Sequence, residues 1–259
     1  MTTYSLNNNL YIRRIDDITP VEAAAWDEWL LNHDDLRRAF LSRTYVASVA
    51  GIRRDVVVLA GYSEGAPCFF LPLQRRPGLL GMFGIFEPVG GVMTDYFGVI
   101  AADGAMIVID SLLKATDGYV SGIFFTHLDE TQRQYGLHAD ENRTGLRTRL
   151  GDPPGEFWTR LRTTNKKLVY DTERREKKLV NELGPLTFEW TSSRPEGDLD
   201  WLIESKKSQY SRTGKAQAPL FVDANANRIA ITKTRLVSVS RYLFIIFYIS
   251  AVSLSKKNY

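Results

Sequence analysis

Residues 152–185 read DPPGEFWTRLRTTNKKLVYDTERREKKLVNELGP, and this stretch predicts one long basic helix with a signal at each end. Asp152 is a suitable N-cap, and Pro153 fits the first helical position. Gly184 followed by Pro185 is typical of a helix end. We take this helix as the element around which the chain is organised.

Two surfaces run along the predicted helix. At about 100° per residue, one sector of roughly 80° collects mostly apolar side chains, which predicts a face that packs on a core. We call these residues the apolar seam: Phe157, Leu161, Leu168, Thr172, Leu179 and Leu183. The basic stripe lies on the flank of the seam and consists of Arg160, Lys167, Arg174 and Lys178.

Two hypotheses explain the basic stripe. Three of its cations have an acidic residue four positions away, in the pairs Glu156–Arg160, Lys167–Asp171 and Lys178–Glu182. Pairs at this spacing favour a solvated, salt-bridged surface. The alternative is a surface for a phosphate-bearing partner, either a coenzyme or a nucleic acid, because the segment is net positive.

Composition sets limits on the class of protein. The chain has 259 residues and is 44% hydrophobic, which is enough for one large domain or two modest ones. Its single cysteine, Cys68, stands in an apolar run and is interpreted as a small buried hydrophobe rather than a nucleophile. The N-terminus lacks the pattern of a secretory signal, so we expect a cytoplasmic protein.

The last 36 residues differ in composition from the rest. Residues 224–259 hold six Lys/Arg, no Asp or Glu, no Gly and no Pro. Residues 1–223 therefore carry 27 basic and 30 acidic side chains. Within this tail, Tyr242–Leu254 is mostly apolar but shorter than the roughly 20 residues of a spanning helix. Its β-branched and aromatic content favours a buried or aggregating strand over a membrane-surface anchor.

The remaining patterns predict the fold class. Thr19-Pro20-Val21-Glu22 is a capping box that opens a helix, and Ser193 with Glu196 is a second one. Residues 55–62 and 66–74 are β-rich runs separated by Ser63-Glu64-Gly65, which predicts a hairpin. Strands and helices interleave along the chain. We therefore predict a mixed α/β fold around a partly antiparallel sheet, rather than a doubly wound parallel sheet.

Several chemical motifs are absent from the sequence. His33, His127 and His138 have no neighbours at metal-ligand spacing, so no metal site is predicted. The chain contains no P-loop, no Rossmann fingerprint and no nucleophile elbow.

The order of six short segments resembles a known family. The segments are Asp55-Val-Val-Val-Leu-Ala, Phe70-Leu-Pro-Leu-Gln, Gly90-Gly-Val-Met-Thr-Asp-Tyr-Phe-Gly, Arg174-Arg-Glu-Lys-Lys-Leu, Gly184-Pro-Leu-Thr-Phe-Glu and Lys207-Ser-Gln-Tyr-Ser-Arg-Thr-Gly, the last followed by Phe221. They resemble the bacterial acetyltransferase-like proteins associated with cellulose biosynthesis, which belong to the GNAT acyltransferase superfamily. The resemblance extends over roughly residues 20–223.

The resemblance implies a domain plan and a cofactor. It implies a GNAT-like domain at 1–150, the start of a second one at 151–223, and an atypical tail at 224–259 after a truncation. Relatives of this kind use acetyl-CoA, an amine acceptor and no metal. Their pyrophosphate loop, Q/R-x-x-G-x-G/A, is missing here, because the nearest matches place His138 and Leu80 where a small residue is needed. We therefore expect an incomplete acetyl-CoA site.

The resemblance also implies roles for individual residues. In relatives of this kind an amine attacks a thioester directly, and Tyr210 is our candidate donor for the leaving thiolate. The alternative is that Tyr210 is only the last apolar position of its helix. Candidate substrate- or cofactor-binding residues are Lys207, Arg212, Lys167 and Arg174.

A second hypothesis makes the chain a non-catalytic protein whose basic helix recruits a phosphate-rich partner. Nucleic acid is not the favoured partner, and membrane contact through the tail is a third, less favoured hypothesis.

Overall fold

The computed structural model describes residues 4–5, 9–138, 155–187 and 193–214. These residues form two compact units. The first unit contains residues 4–5, 9–138 and 193–214, and the second contains residues 155–187. The predicted boundaries after residues 150 and 223, and the tail at 224–259, lie outside the described residues.

The regular elements are numbered in chain order, with strands and α-helices numbered separately. Within the described residues the strands are β1 (Tyr4–Ser5), β2 (Leu10–Arg13), β3 (Val56–Ser63), β4 (Ala66–Arg75), β5 (Ile85–Pro88), β6 (Ile100–Ala101) and β7 (Gly122–Ile123). The α-helices are α1 (Pro20–Asn32), α2 (Arg43–Ala50), α3 (Leu79–Met82), α4 (Ile109–Ala115), α5 (Glu156–Thr164), α6 (Lys166–Leu183) and α7 (Pro195–Thr213).

The strands of the described residues form one mixed sheet in the first unit. Its order is β1-β2-β3-β4-β5-β7, and β6 pairs with β4 beside β5. Every pairing is antiparallel except that of β5 with β7, which is parallel. The predicted mixed α/β class with a partly antiparallel sheet is therefore confirmed. The GNAT-like arrangement in tandem stays a prediction.

The centre of the sheet is the hairpin of β3 and β4. Its two-residue turn, Glu64-Gly65, has φ values of 52° and 81°, which is the backbone of a turn that matches strand twist. In the resulting register Leu59 faces Leu71 and Ala60 faces Phe70. The predicted hairpin is confirmed.

Side chains alternate along these two strands and supply two cores, one on each face of the sheet. On one face Phe70 stacks on Trp26 of α1, with ring centroids 5.0 Å apart. On the other face Leu59 and Leu71 belong to the core that includes Leu112 of α4. Helices thus cover both faces, and the hairpin contributes to both layers.

The start of α1 follows its sequence signal closely. The Thr19 hydroxyl accepts from the Glu22 backbone N–H, and the Glu22 carboxylate accepts from the Thr19 N–H at 2.7 Å. Glu22 is fully buried, and it also accepts from Arg13 at 2.8 Å and from the Tyr62 hydroxyl at 2.6 Å. This network ties α1 to β2 and β3, and the predicted capping box is confirmed.

The prediction of one long helix over 152–185 is wrong. The described part divides into α5 and α6 at Asn165, whose φ of −142° and ψ of 63° are not helical. The Asn165 side chain accepts from the Leu168 N–H at 3.2 Å and so caps α6. The first helix begins at Glu156, while Asp152 and Pro153 lie outside the described residues. The predicted end at Gly184 is confirmed.

The prediction that the apolar seam packs on a core is also wrong within the described residues. Leu168 and Leu183 are 49% and 75% exposed. The buried residue of α6 is Val169, which lies one position beyond the seam. The break at Asn165 explains part of the error, because it ends the continuous periodicity on which the seam was defined.

Two further observations concern helices. The predicted capping box at Ser193 does not form, because α7 begins after Arg194 and no side chain caps its first turn. No helix of the described residues is long and apolar enough to cross a membrane.

Candidate functional site

The basic stripe lies on exposed surface of α5 and α6. Lys178 Nζ lies 3.6 Å from a Glu182 carboxylate oxygen, as the spacing of the two residues predicts. Arg174 pairs with Asp171 at 3.7 Å, one turn back along the helix. Lys167 is exposed on the same side. These ion pairs favour the hypothesis of a solvated, salt-bridged surface. Exposed pairs of this kind contribute little to the free energy of folding.

The other predicted site residues lie on α7. Tyr210 is partly buried, and Lys207 stands three residues earlier on the same side of the helix. Lys207 Nζ contacts a Glu204 carboxylate oxygen at 2.8 Å. Arg212 is exposed in the last turn, where a cation interacts favourably with the helix dipole. Lys167 and Arg174 thus belong to the second unit, and the residues of α7 to the first.

A polar cluster that the sequence analysis did not predict surrounds the end of β5. Gln74 of β4 is buried, and its amide oxygen accepts from the Gly90 N–H at 2.8 Å. The amide nitrogen of Gln74 donates to a Glu87 carboxylate oxygen at 2.7 Å. Together with Tyr45 and Thr94, these residues form what we call the glycine-turn cluster.

The turn at Gly90 requires glycine. Its φ is 92°, and a Cβ atom there would stand 2.0 Å from the Tyr45 hydroxyl oxygen. The hydroxyl groups of Tyr45 and Thr94 are 2.6 Å apart, and Thr94 donates in turn to the Val89 carbonyl. Burial raises the pKa of Tyr45 above its usual range, so this phenol stays neutral and acts through its hydrogen bond.

The sheet topology makes this end of β5 chemically interesting. Strands β5 and β7 are the parallel pair among the described strands, and Glu87 lies one residue before the end of β5. In open, mostly parallel α/β sheets, ligands bind beside the carboxyl ends of the strands, and in this mainly antiparallel sheet the pair of β5 and β7 reproduces that arrangement only locally. Glu87 is partly exposed, while Gln74 holds one of its oxygens in place. The arrangement therefore offers an oriented and partly exposed carboxylate.

Part of this cluster was visible in the sequence. Gln74 ends one of the segments that carry the family resemblance, and Gly90 begins another. The hydrogen bond between them joins the two segments in space. Glu87 and Tyr45 belong to none of these segments. The one sequence feature that could have indicated Glu87 is its position at the end of a strand, three residues before the pair Gly90-Gly91.

Neither the cysteine nor the acidic and histidine side chains of the described residues offer a second reactive site. Cys68 of β4 is partly buried against one core, and burial raises the pKa of its thiol, which lowers its reactivity. Among the described residues, no group of three or more His, Cys, Asp or Glu side chains is placed to hold a metal ion.

No known protein family, no curated protein and no solved structure matches the chain.

Proposed function

We propose that the chain is an acyl-CoA-dependent N-acyltransferase-like protein of the GNAT type, connected with cellulose or exopolysaccharide biosynthesis. The observation that carries the proposal is the Glu87 carboxylate, which Gln74 orients beside a glycine turn at the carboxyl end of a parallel strand. The resemblance of the short segments supports the superfamily, and the link to polysaccharide synthesis rests on that resemblance.

The proposed chemistry is direct transfer of an acyl group from a thioester to an amine. The amine nitrogen forms a bond to the acyl carbon, and the carbon–sulfur bond breaks. Glu87 accepts the proton that the ammonium group must lose before the attack. Tyr210 gives a proton to the departing thiolate, and the second proton of the amine nitrogen, which is released as the amide forms, returns to the Tyr210 oxygen. The transfer needs no metal and no redox partner.

Acetyl-CoA binding is expected to be weak. The sequence has no Q/R-x-x-G-x-G/A loop, which in such enzymes surrounds the pyrophosphate with backbone N–H groups. Micromolar affinity corresponds to about 8 kcal/mol, which is difficult to reach when the phosphates have no such loop. We therefore expect calorimetry to detect no micromolar binding of acetyl-CoA.

The test is thioester aminolysis at millimolar acetyl-CoA, followed by the release of free thiol. The substitution Glu87→Gln keeps the shape of the side chain and removes the base, so the rate should fall by about 100-fold or more. Glu64→Gln, in the exposed hairpin turn, is the matched control and should keep the rate. A rate for the unsubstituted chain no higher than the background would reject the proposal.

The alternative function is a non-catalytic protein that binds a phosphate-rich partner through the basic stripe. The exposure of Lys167 is the observation that favours it. Inorganic polyphosphate is a suitable probe, and binding should weaken steeply as salt is added. The substitution Lys178→Glu, at a residue of the basic stripe with no role in the proposed transfer, should reduce this binding and leave aminolysis unchanged, which separates the two functions.

A further inference from the structure

An apolar projection stands at one end of the sheet, in the connection between β4 and β5. Four large apolar side chains in five consecutive positions are exposed there: Leu79 (73%), Leu80 (49%), Met82 (78%) and Phe83 (73%). We call these four residues the apolar tip. Contiguous exposed apolar surface of this kind marks an interaction site, whereas single exposed apolar residues are ordinary.

The backbone of the apolar tip is held in a fixed conformation. Gly81 is buried, and a Cβ atom there would stand 1.9 Å from the Arg76 carbonyl oxygen. Arg75 donates from Nη1 to the Gly81 carbonyl at 2.7 Å. On the other side, the Ser121 N–H donates to the Gly84 carbonyl at 2.8 Å. The exposed side chains are therefore displayed by a built turn.

Arginine side chains surround the base of the tip. The Arg75 guanidinium lies over the rings of Phe86 and Tyr119, with centroids at 4.8 Å and 5.3 Å. The Arg76 guanidinium lies 3.7 Å from the ring centroid of Phe124, which is itself 49% exposed. These contacts extend the apolar surface from the tip onto Tyr119 and Phe124, which flank β7, and place two cations along it.

Two more arginines reach the same end of the sheet from the start of β3. Arg53 donates to the Arg75 carbonyl at 3.0 Å, and Arg54 follows it on exposed surface. Asp55 neutralises one of these charges, because both its oxygens accept from Arg53. We call Arg53, Arg54, Arg75 and Arg76 the arginine cluster. With Asp55 paired to Arg53, the other three arginines leave the cluster itself net positive.

We propose that the apolar tip and the arginine cluster form a docking surface for an anionic lipid membrane. The tip inserts between the acyl chains, and the arginines contact headgroup phosphates. Partly buried apolar side chains and basic residues near an anionic surface both contribute to such binding. This surface shares no residue with the glycine-turn cluster.

Charge decides between a membrane and a second copy of the chain. A symmetric dimer formed through this surface would bring two arginine clusters together, and like charges across an interface oppose association. An anionic membrane neutralises the same cations. The apolar tip is also a single short turn, which suits shallow insertion better than the broad contact of a stable dimer.

The test measures flotation of the full chain with vesicles of phosphatidylcholine, with and without phosphatidylserine. The chain should bind the vesicles that contain phosphatidylserine more tightly. The double substitution Leu79→Ser with Phe83→Ser should weaken binding by about tenfold or more. Leu31→Ser with Met106→Ser removes two exposed apolar side chains elsewhere, which are 65% and 100% exposed, and should leave binding unchanged. Arg54→Gln should cost about fivefold on anionic vesicles.

A second measurement uses an environment-sensitive dye on Met82→Cys, with Cys68→Ala in the background. Vesicles should shift the emission of the dye to the blue as the tip enters the membrane. The proposal is overturned if the tip variant binds as the unsubstituted chain does, if neutral and anionic vesicles bind equally, or if no vesicle binding occurs. Self-association that the tip variant abolishes, without any vesicle binding, would also overturn it.

Discussion

The ionised carboxylate of one buried residue, Glu22, joins the start of α1 to strands β2 and β3. Burial alone raises the pKa of this carboxyl, but hydrogen bonds from Tyr62 and Thr19 and the charge of Arg13 outweigh it, so the pKa is lowered. The carboxylate is therefore ionised in the folded protein. Because the folded pKa is depressed, the stability it contributes is present above the unfolded pKa and is lost as pH falls through the folded pKa.

We predict that Glu22→Gln destabilises the protein by about 3 kcal/mol or more near neutral pH, because it leaves Arg13 without its buried carboxylate. The difference from the unsubstituted protein should shrink as the pH is lowered into the acid range, where Glu22 itself becomes protonated. Urea unfolding at several pH values measures both effects. Glu28→Gln on the exposed side of α1 is the control and should change little. A pH-independent difference would contradict the assigned role of the charge.

At the glycine-turn cluster, two substitutions should be strongly coupled. Tyr45→Phe removes the hydroxyl that lies 2.6 Å from Thr94 and should cost about 1 kcal/mol. Gly90→Ala should cost at least about 2 kcal/mol, because its Cβ would meet that hydroxyl and its φ is positive. In the double variant the clash with the hydroxyl disappears, so the losses should sum to less than the two separate values. Fully additive losses would contradict the predicted close contact.

At the level of elements, local signals predicted the structure where the deciding contacts are local. The capping box of Thr19 and Glu22 and the turn at Glu64-Gly65 each act over a few residues, and both formed as predicted. The break at Asn165 was missed because asparagine is only mildly unfavourable inside a helix. Its capping bond to Leu168 leaves no mark on the hydrophobic periodicity.

The division between α5 and α6 gives a prediction of its own. Asn165→Ala should destabilise the protein by about 1 kcal/mol, since it removes the N-cap of α6.

The buried side of α6 gives a second prediction. Val169→Ala should lower the free energy of unfolding because Val169 is buried, whereas Leu168→Ala should lower it less than a core substitution does, since Leu168 is 49% exposed. Lys167→Ala should change stability by no more than about 0.5 kcal/mol. If Leu168→Ala lowered the free energy of unfolding more than Val169→Ala did, the original assignment of the apolar seam to the packed face would be correct.

At the scale of the whole molecule, the candidate site could not be predicted because sheet pairing creates it. Gln74 and Gly90 are 16 residues apart, and only the pairing of β4 with β5 brings them within hydrogen-bonding distance. Tyr45 reaches the same place from α2 on one face of the sheet. The segments that carry the family resemblance include Gln74, Gly90 and Thr94 but neither Glu87 nor Tyr45, and their order held no information about which of these residues meet in space.

The shared hairpin also predicts how the first unit unfolds. Leu71 belongs to the core opposite to Trp26, yet its neighbour Phe70 stacks on Trp26 from the same strand. Leu71→Ala should cost about 2–5 kcal/mol, because the side chain is fully buried. Since both cores depend on β3 and β4, the unit should unfold as one cooperative body. Leu71→Ala should therefore lower the thermal midpoint by the same amount in two measurements, tryptophan fluorescence and far-ultraviolet circular dichroism. In the first of them, Trp26 reports on the opposite face of the sheet. The fluorescence of Trp26 is isolated by comparison with a Trp26→Phe variant. If Leu71→Ala left the thermal midpoint of this Trp26 signal unchanged, the two cores would unfold separately.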